Sequence, residues 1–309
     1  MKRKKVIIKK IVFLVLTGFL AFSCKQKQDK STSSPNPFEN EQGLKAQIFQ
    51  SGNVSKLNSA EFGISFTPDM QSLFFTSNRE NDKSFYIYSS KFVNGQWEEA
   101  KIASFSGNYF DADAFVTLDG EKLFFYSMRP IDENSTVLKS PNIWFIDYMV
   151  NGWGEAKYLN SKINQNTSGE GYMSISKNNT IYFSSVGREK GRKHDVYRSP
   201  LLFDNNSGDS IEFVNIDIET NYSNPYISSD ESFIIIDSKQ KGGFGENDLY
   251  ISFREGEQWS LPKNLGPKVN TDKDEGTPYI SPDGKWFFFS RDGDIYYIAL
   301  SSLSLNKLK

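Results

Sequence analysis

The chain has 309 residues, 36 Lys and Arg against 38 Asp and Glu, one Cys and one His. All six basic residues of 1–23 lie in the first ten positions, so the remainder carries 30 basic against 38 acidic side chains and is net −8. That balance argues against non-specific nucleic-acid binding. A lone Cys24 excludes an intramolecular disulfide, and a lone His194 removes most zinc sites, Ser-His-Asp triads and Cys-His pairs. No cofactor and no metal is expected.

Residues 1–10 are basic and 11–22 form an apolar run of twelve, too short to span a bilayer comfortably and flanked like a secretory signal. The run ends Leu20-Ala21-Phe22-Ser23-Cys24, which resembles the lipobox of bacterial lipoproteins. That resemblance implies cleavage after Ser23 and lipidation of Cys24 as the mature N-terminus. The alternative is an ordinary signal peptide with an incidental cysteine, or an uncleaved anchor. Positions 25–40 are Lys, Gln, Ser, Asn and Pro with almost nothing apolar, so 24–42 reads as a disordered tether. The domain boundaries expected are therefore a signal peptide over 1–23, a lipidated tether over 24–42 and a folded domain over 43–309.

The folded part repeats one grammar five times. Its clearest copy is EGTPYISPDGKWFFFSRDGDIY at 275–296: an acid, a short strand, a turn, an aromatic strand, a base, then Asp-Ile-Tyr opening a third strand. Runs of strand-forming residues split by Asp-Gly are a strong hairpin signal. The turn residues Asp69, Asp119, Asn178, Asp230 and Asp283 are 50, 59, 52 and 53 residues apart. A period of this size with several strands per unit means a propeller, solenoid or array, because one hairpin cannot bury its apolar face alone.

The predicted third strands are 85–89, 143–148, 196–199, 249–253 and 295–300. Outer strands follow at 97–102, 153–159 and 259–265, each opened by a Trp read as a packing residue, with 211–218 in the third unit. The fifth unit stops near Leu300 without an outer strand, and 45–58 has no hairpin of its own. Its Leu57-Asn58 stands before Glu61 much as Ile163-Asn164 precedes Glu170 and Val269-Asn270 precedes Glu275. The N-terminal segment is therefore expected to complete the last blade and close the ring, removing an exposed edge. The fold class is all-β, a five-bladed propeller of four-stranded antiparallel blades; a six-bladed ring is the alternative.

Ser-Pro-Asp-Gly at 281–284, Asp294-Ile295-Tyr296, Gly-Gly-Phe-Gly-Glu-Asn-Asp-Leu-Tyr at 242–250 and Trp-Ser-Leu-Pro-Lys-Asn-Leu-Gly at 259–266 resemble the WD-repeat-like propeller modules with a Pro-Asp-Gly signature, related to the TolB propeller. The likeness spans 45–300. It implies a propeller of the bacterial envelope, often an interaction module, and no single activity.

Aligned units carry one polar constellation. An acid precedes the first strand at Glu61, Asp111, Glu170 and Glu275, with Tyr222 in the fourth unit. A base follows the second strand at Arg79, Arg129, Arg188, Lys239 and Arg291, and an Asp opens the third at Asp195, Asp248 and Asp294. All three sets belong on one rim. One reading pairs them within and between blades; the other makes them a charged funnel for an envelope protein or glycan. The funnel reading expects Arg129→Ala and Arg291→Ala to lower partner binding with the fold intact.

A glycan-active enzyme using rim carboxylates is the competing function. Repeat-equivalent acids do not supply the unequal pKa values such chemistry needs, and no Ser-x-Asp-x-Gly-x-Thr-Trp box is present. Asp272-Lys273-Asp274-Glu275 and Asp292-Gly293-Asp294 could offer oxygens to calcium, but neither matches an EF-hand loop. The basic stretch 188–194 reads as a solvated loop tip, or a contact for an anionic glycan or headgroup. The expected protein is a monomeric propeller held at the membrane by its N-terminal lipid, probed by no nucleic acid.

Overall fold

The computed structural model describes residues 37–38, 43–79, 84–159, 162–165, 167–189, 194–201, 210–303 and 305. The leader, Cys24, most of the tether, most of the 203–210 insertion and most of the 188–194 stretch lie outside them. The fold is a five-bladed β-propeller, as expected, with a single 3-10 turn (Leu300–Leu303) as its helical content among the described residues. No helix among them is long and apolar enough to cross a membrane.

Blade 1 runs outward through Glu61–Phe66, Ser72–Ser77 and Tyr86–Val93. Blade 2 does so through Asp111–Val116, Lys122–Ser127 and Asn142–Met149. Blade 3 uses Gly169–Ile175, Thr180–Val186 and Asp195–Pro200, and blade 4 uses Tyr222–Ile227, Phe233–Ser238 and Asp248–Glu255. Blade 5 is Glu275–Ile280, Trp286–Arg291 and Asp294–Ala299. The outer strand is not continuous. In blades 1, 2 and 4 it breaks into two short pieces, such as Gln96–Trp97 and Lys101–Ile102, both paired with the third strand. In blade 3 it shrinks to Glu212–Phe213.

The second strands read as unbroken apolar runs, not alternating ones, because neighbouring blades cover both faces. Phe75, Phe124, Phe183, Ile235 and Phe288 are fully buried there, and each such side chain contributes roughly 1.5–3 kcal/mol on burial. Turns at the inner hairpins are held by their aspartates. Asp69 accepts from Thr67 Oγ1 at 2.6 Å and from Gln71 N at 3.0 Å, and Asp283 repeats this with Ser281 Oγ at 2.6 Å and Lys285 N at 3.1 Å. Gly120 and Gly284 supply left-handed backbone after the aspartate, at φ 75° and 69°.

The ring closes at the predicted place. Gln47 and Ile48 pair with Tyr297 and Tyr296, and Phe49 N donates to Ile295 O at 2.7 Å. The residues equivalent to Ile163-Asn164 and Val269-Asn270 are Val54-Ser55, not Leu57-Asn58. Val54 is buried and Leu57 is 91% exposed. Ser55 Oγ accepts Ile295 N at 3.1 Å, as Asn270 Oδ1 accepts Leu249 N at 2.8 Å. Ordered packing also reaches into the expected tether. The Phe38 ring is buried against Phe49, Trp286 and Phe288 at centroid distances of 5.8, 5.1 and 5.9 Å, since an aromatic with ring partners gains more by docking than by hydration.

Candidate functional site

Four blades carry the same buried latch. Glu61, Asp111, Glu170 and Glu275 are fully buried at the start of their first strands. Arg79, Arg129, Arg188 and Arg291 reach them at 3.3, 2.8, 2.9 and 2.8 Å. Each guanidinium also donates to carbonyls of the preceding crossover: Asn53 and Val54, Phe105, Ile163, or Val269. Each lies over rings of its own blade, such as Phe125 and Trp144 at 4.8 and 5.5 Å or Phe289 and Tyr296 at 5.2 and 4.4 Å. A hydroxyl completes each acid: Ser59 at 2.6 Å, Ser106 at 2.7 Å, Ser168 at 2.5 Å and Thr271 at 2.6 Å. Burial still pushes the Glu170 carboxyl up, against the pull of Ser168 and Arg188.

The four arginines arrive from different backbone positions. In register, Glu61 faces Ser77, two residues before Arg79; Glu170 faces Ser185, three before Arg188; Glu275 faces Arg291 itself. The guanidinium's place is common, and the side chain's length absorbs the difference. Blade 4 has no such latch. Tyr222 is buried and donates to Val214 O at 2.5 Å, while Lys239 points outward to Glu246 at 2.5 Å. Asp248 there holds the glycine-rich loop, accepting from Phe244 N at 2.7 Å and Asn264 Nδ2 at 2.9 Å. A Cβ on Gly245 would lie 2.1 Å from Lys273 O, so that loop requires glycine. Asp195 is buried opposite Ser185, and Asp294 is half-buried, its carboxyl pushed up by burial and by the Glu61 charge.

Inside this frame the first strand of every blade bulges after its second residue. Within the bulges Gly63, Asp113, Asn224 and Thr277 hold left-handed backbone, each following a residue paired with Thr76, Tyr126, Asp237 or Ser290 of the second strand; in blade 3 the bulge falls on Gly171 and Tyr172 instead. Asp113 N donates to Thr76 Oγ1 at 2.8 Å and Asn224 N to Ser184 Oγ at 2.9 Å. Asp237 accepts Ser223 Oγ at 2.7 Å and Asn224 Nδ2 at 2.6 Å. The Asp113 carboxyl is pushed up to about 7, chiefly by burial, with the Asp237 charge adding to it and the Tyr126 hydroxyl opposing it. Asp237 is also raised by burial, its hydrogen bonds opposing.

Above this belt, blades 1 and 2 present a row of half-buried rings: Phe62, Phe85, Phe110 and Tyr126, with successive centroids 5.1, 6.3 and 5.8 Å apart. At the positions aligned with Phe62 and Tyr126, blades 4 and 5 carry Ser223 and Asp237, and Gly276 and Ser290, while the glycine-rich loop of blade 4 exposes Phe244. Sequence reasoning missed Asp113, Asp237 and the aromatic row. The available signal was an aspartate inside a buried strand: Asp111-Ala112-Asp113, and Asp237 after three isoleucines. The acidic stretches considered for calcium are otherwise engaged, Lys273 with Asp292 at 3.3 Å and Asn247 with Asp274 at 2.8 Å. Among the described residues no three His, Cys, Asp or Glu side chains form a metal-binding group.

No family model and no curated protein matches the chain. Solved structures with a similar fold include a thermostable family-43 glycoside hydrolase (11% identity, TM-score 0.51, 80% of this chain and 90% of that one). A gluconolactonase from Xanthomonas campestris is similar over 80% of this chain and 88% of its own (9% identity, TM-score 0.50). TolB from Acinetobacter baumannii is similar at 17% identity and TM-score 0.47, over 80% of this chain, which spans 56% of that protein's length. At these identities the likeness establishes the propeller fold and nothing of activity.

Proposed function

We propose that this chain is an exported, lipid-anchored binding protein whose propeller mouth holds a segment of cell-envelope glycan. Cys24 carries the lipid, residues after it form the tether, and the ring is the recognition module. The observation that carries the reading is the row of half-buried rings on blades 1 and 2, where blades 4 and 5 carry Ser223, Asp237, Gly276 and Ser290, on a frame locked by four buried ion pairs. Aromatic faces pack against the apolar faces of sugar rings, and neighbouring oxygens and amides take the hydroxyls. Latches that hold four of the five crossovers to their blades leave little for binding to order, which lowers its entropic cost.

The test uses the full chain in detergent and a set of peptidoglycan and polysaccharide fragments, with binding followed by calorimetry. Phe62→Ala and Phe110→Ala should each weaken the bound fragment about tenfold, equivalent to ~1.4 kcal/mol. Unchanged affinity in both would overturn the glycan reading. Loss of acyl labelling in Cys24→Ser tests the anchor separately.

One observation favours a glycan-active enzyme as the second reading. Asp113 and Asp237 are a pair of axial carboxyls in unequal surroundings, the first pushed up to about 7, and unequal carboxyls are what acid–base hydrolysis needs. Turnover of aryl glycosides that disappears in Asp237→Asn would displace binding as the function.

A further inference from the structure

We propose that the base of the ring rests on the membrane surface, with the hairpin tip 148–150 of blade 2 set among the lipid headgroups, so that the mouth faces away from the bilayer. The nearness of a membrane rests on the N-terminal anchor proposed above; the contact surface is read from the ring itself.

Register tells the two faces of the ring apart. The second strands begin beside the inner turns and pair there with the ends of the third strands: Ser72 with Lys91, Lys122 with Asp147 and Trp286 with Ala299. This face is the base. The latches lie at the other end of the same strands, where Arg291 is paired with Glu275 on one side and Asp294 on the other.

The chain enters the ring at the base. Phe38 packs on Trp286 at 5.1 Å, and Gly43 O accepts Ala299 N at 2.8 Å. Gln47, Ile48 and Phe49 then climb along the third strand of blade 5 toward the rim. Cys24 stands fourteen positions before Phe38, and a flexible chain of that length reaches about 20 Å. An anchor at Cys24 is therefore tied to the base and not to the mouth.

The base carries apolar side chains that the fold leaves uncovered. Tyr148 and Met149 are 59% and 61% exposed and Val150 is fully exposed, three in succession at one hairpin tip. Such a run has no place on a merely solvated surface. Leu118 on the inner turn of the same blade, Val93 on the matching hairpin of blade 1 and Leu44 at the chain's entry are exposed as well. Val93 and Tyr148 line one cleft between their two hairpins. The matching tip of blade 4 is Glu255-Gly256-Glu257, exposed and acidic. The base is thus apolar over blades 5, 1 and 2 and negative at blade 4, which tilts the ring onto its apolar side above anionic headgroups.

A lipid surface is the partner these residues fit. Tyr148 packs on Trp153 at 4.9 Å between centroids, and Tyr and Trp, each an apolar ring with a polar handle, favour the membrane–water boundary. Asp147 at the root of the tip is bonded by both Lys122 and Lys157, so it brings no unpaired charge there.

The experiment reconstitutes the full chain from detergent into vesicles of phosphatidylethanolamine and phosphatidylglycerol, with plain or brominated acyl chains. One tryptophan is added at an exposed position in each of Val150→Trp, Glu257→Trp on the blade 4 tip and Leu57→Trp near the rim. Brominated lipid should abolish the added emission of Val150→Trp and spare that of the other two. Flotation and acyl labelling of the wild type read the anchor separately. A floating, acyl-labelled chain in which Val150→Trp is quenched no more than Leu57→Trp overturns the membrane face and leaves the anchor standing. Quenching confined to Val150→Trp in a floating chain without acyl label supports the face and removes the lipid from Cys24. A dimer in detergent that Val150→Asp dissociates assigns the tip to a second copy of the chain and overturns the proposal.

Discussion

Asp111 and Asp113 stand two residues apart on the first strand of blade 2, both buried, and they do opposite things. Asp111 meets Arg129 at 2.8 Å and the Ser106 hydroxyl at 2.7 Å. Asp113, inside the bulge that follows Ala112, meets the Tyr126 hydroxyl and another carboxylate's field, and its Oδ1 has no donor. The same residue type on the same strand is a structural tie in one place and a stability cost in the other. A ring built only for stability would keep the first kind; the second is the kind of group that the proposed function would use.

The largest effect should come from breaking a latch. Arg129→Ala or Arg291→Ala leaves a fully buried carboxylate without its cation and should cost ~3–5 kcal/mol, read from denaturant midpoints. The funnel expectation that these variants spare the fold is thereby put to a direct measurement.

Next comes the pH profile. The folded pKa of Asp113 is raised from 3.8 to about 7, so its contribution is fully present below about pH 4 and is lost as pH rises through about 7. At 1.36 kcal/mol per unit the loss has a ceiling of ~4 kcal/mol. Asp237 and Glu170, also raised, act with the same sign. Unfolding midpoints should therefore fall between pH 5 and pH 8, and Asp113→Asn should flatten that slope. The smallest effect belongs to blade 4, where Lys239 and Glu246 are 63% and 71% exposed. Lys239→Ala should change stability by no more than ~0.5 kcal/mol, and a loss comparable to Arg129→Ala would contradict the contrast between blades.

Much of the architecture was legible because its signals are local. The turn aspartates act within five residues of themselves, as at Thr67, Asp69 and Ser72, so their spacing counts the blades. Ring closure was legible because 45–58 had no hairpin and blade 5 had no outer strand. Alignment by apolar-Asn pairs misplaced the crossover equivalent by three residues, since Ser55 does in that crossover what Asn164 and Asn270 do in theirs. The latch pattern was visible as acids and bases, but its partners include backbone carbonyls 22–26 residues away, which no pattern of side chains reveals. Asp113 escaped because a bulge shifts the alternation, so a position that would face a neighbouring blade faces the axis.

The sharpest measurement compares Asp111→Asn with Asp113→Asn at pH 8, by denaturant unfolding of the full chain. Opposite signs are expected: Asp111→Asn destabilises by stripping Arg129 of its counter-charge, and Asp113→Asn stabilises by removing an uncompensated one. Destabilisation by both would contradict the division of this strand into a structural carboxylate and a site carboxylate.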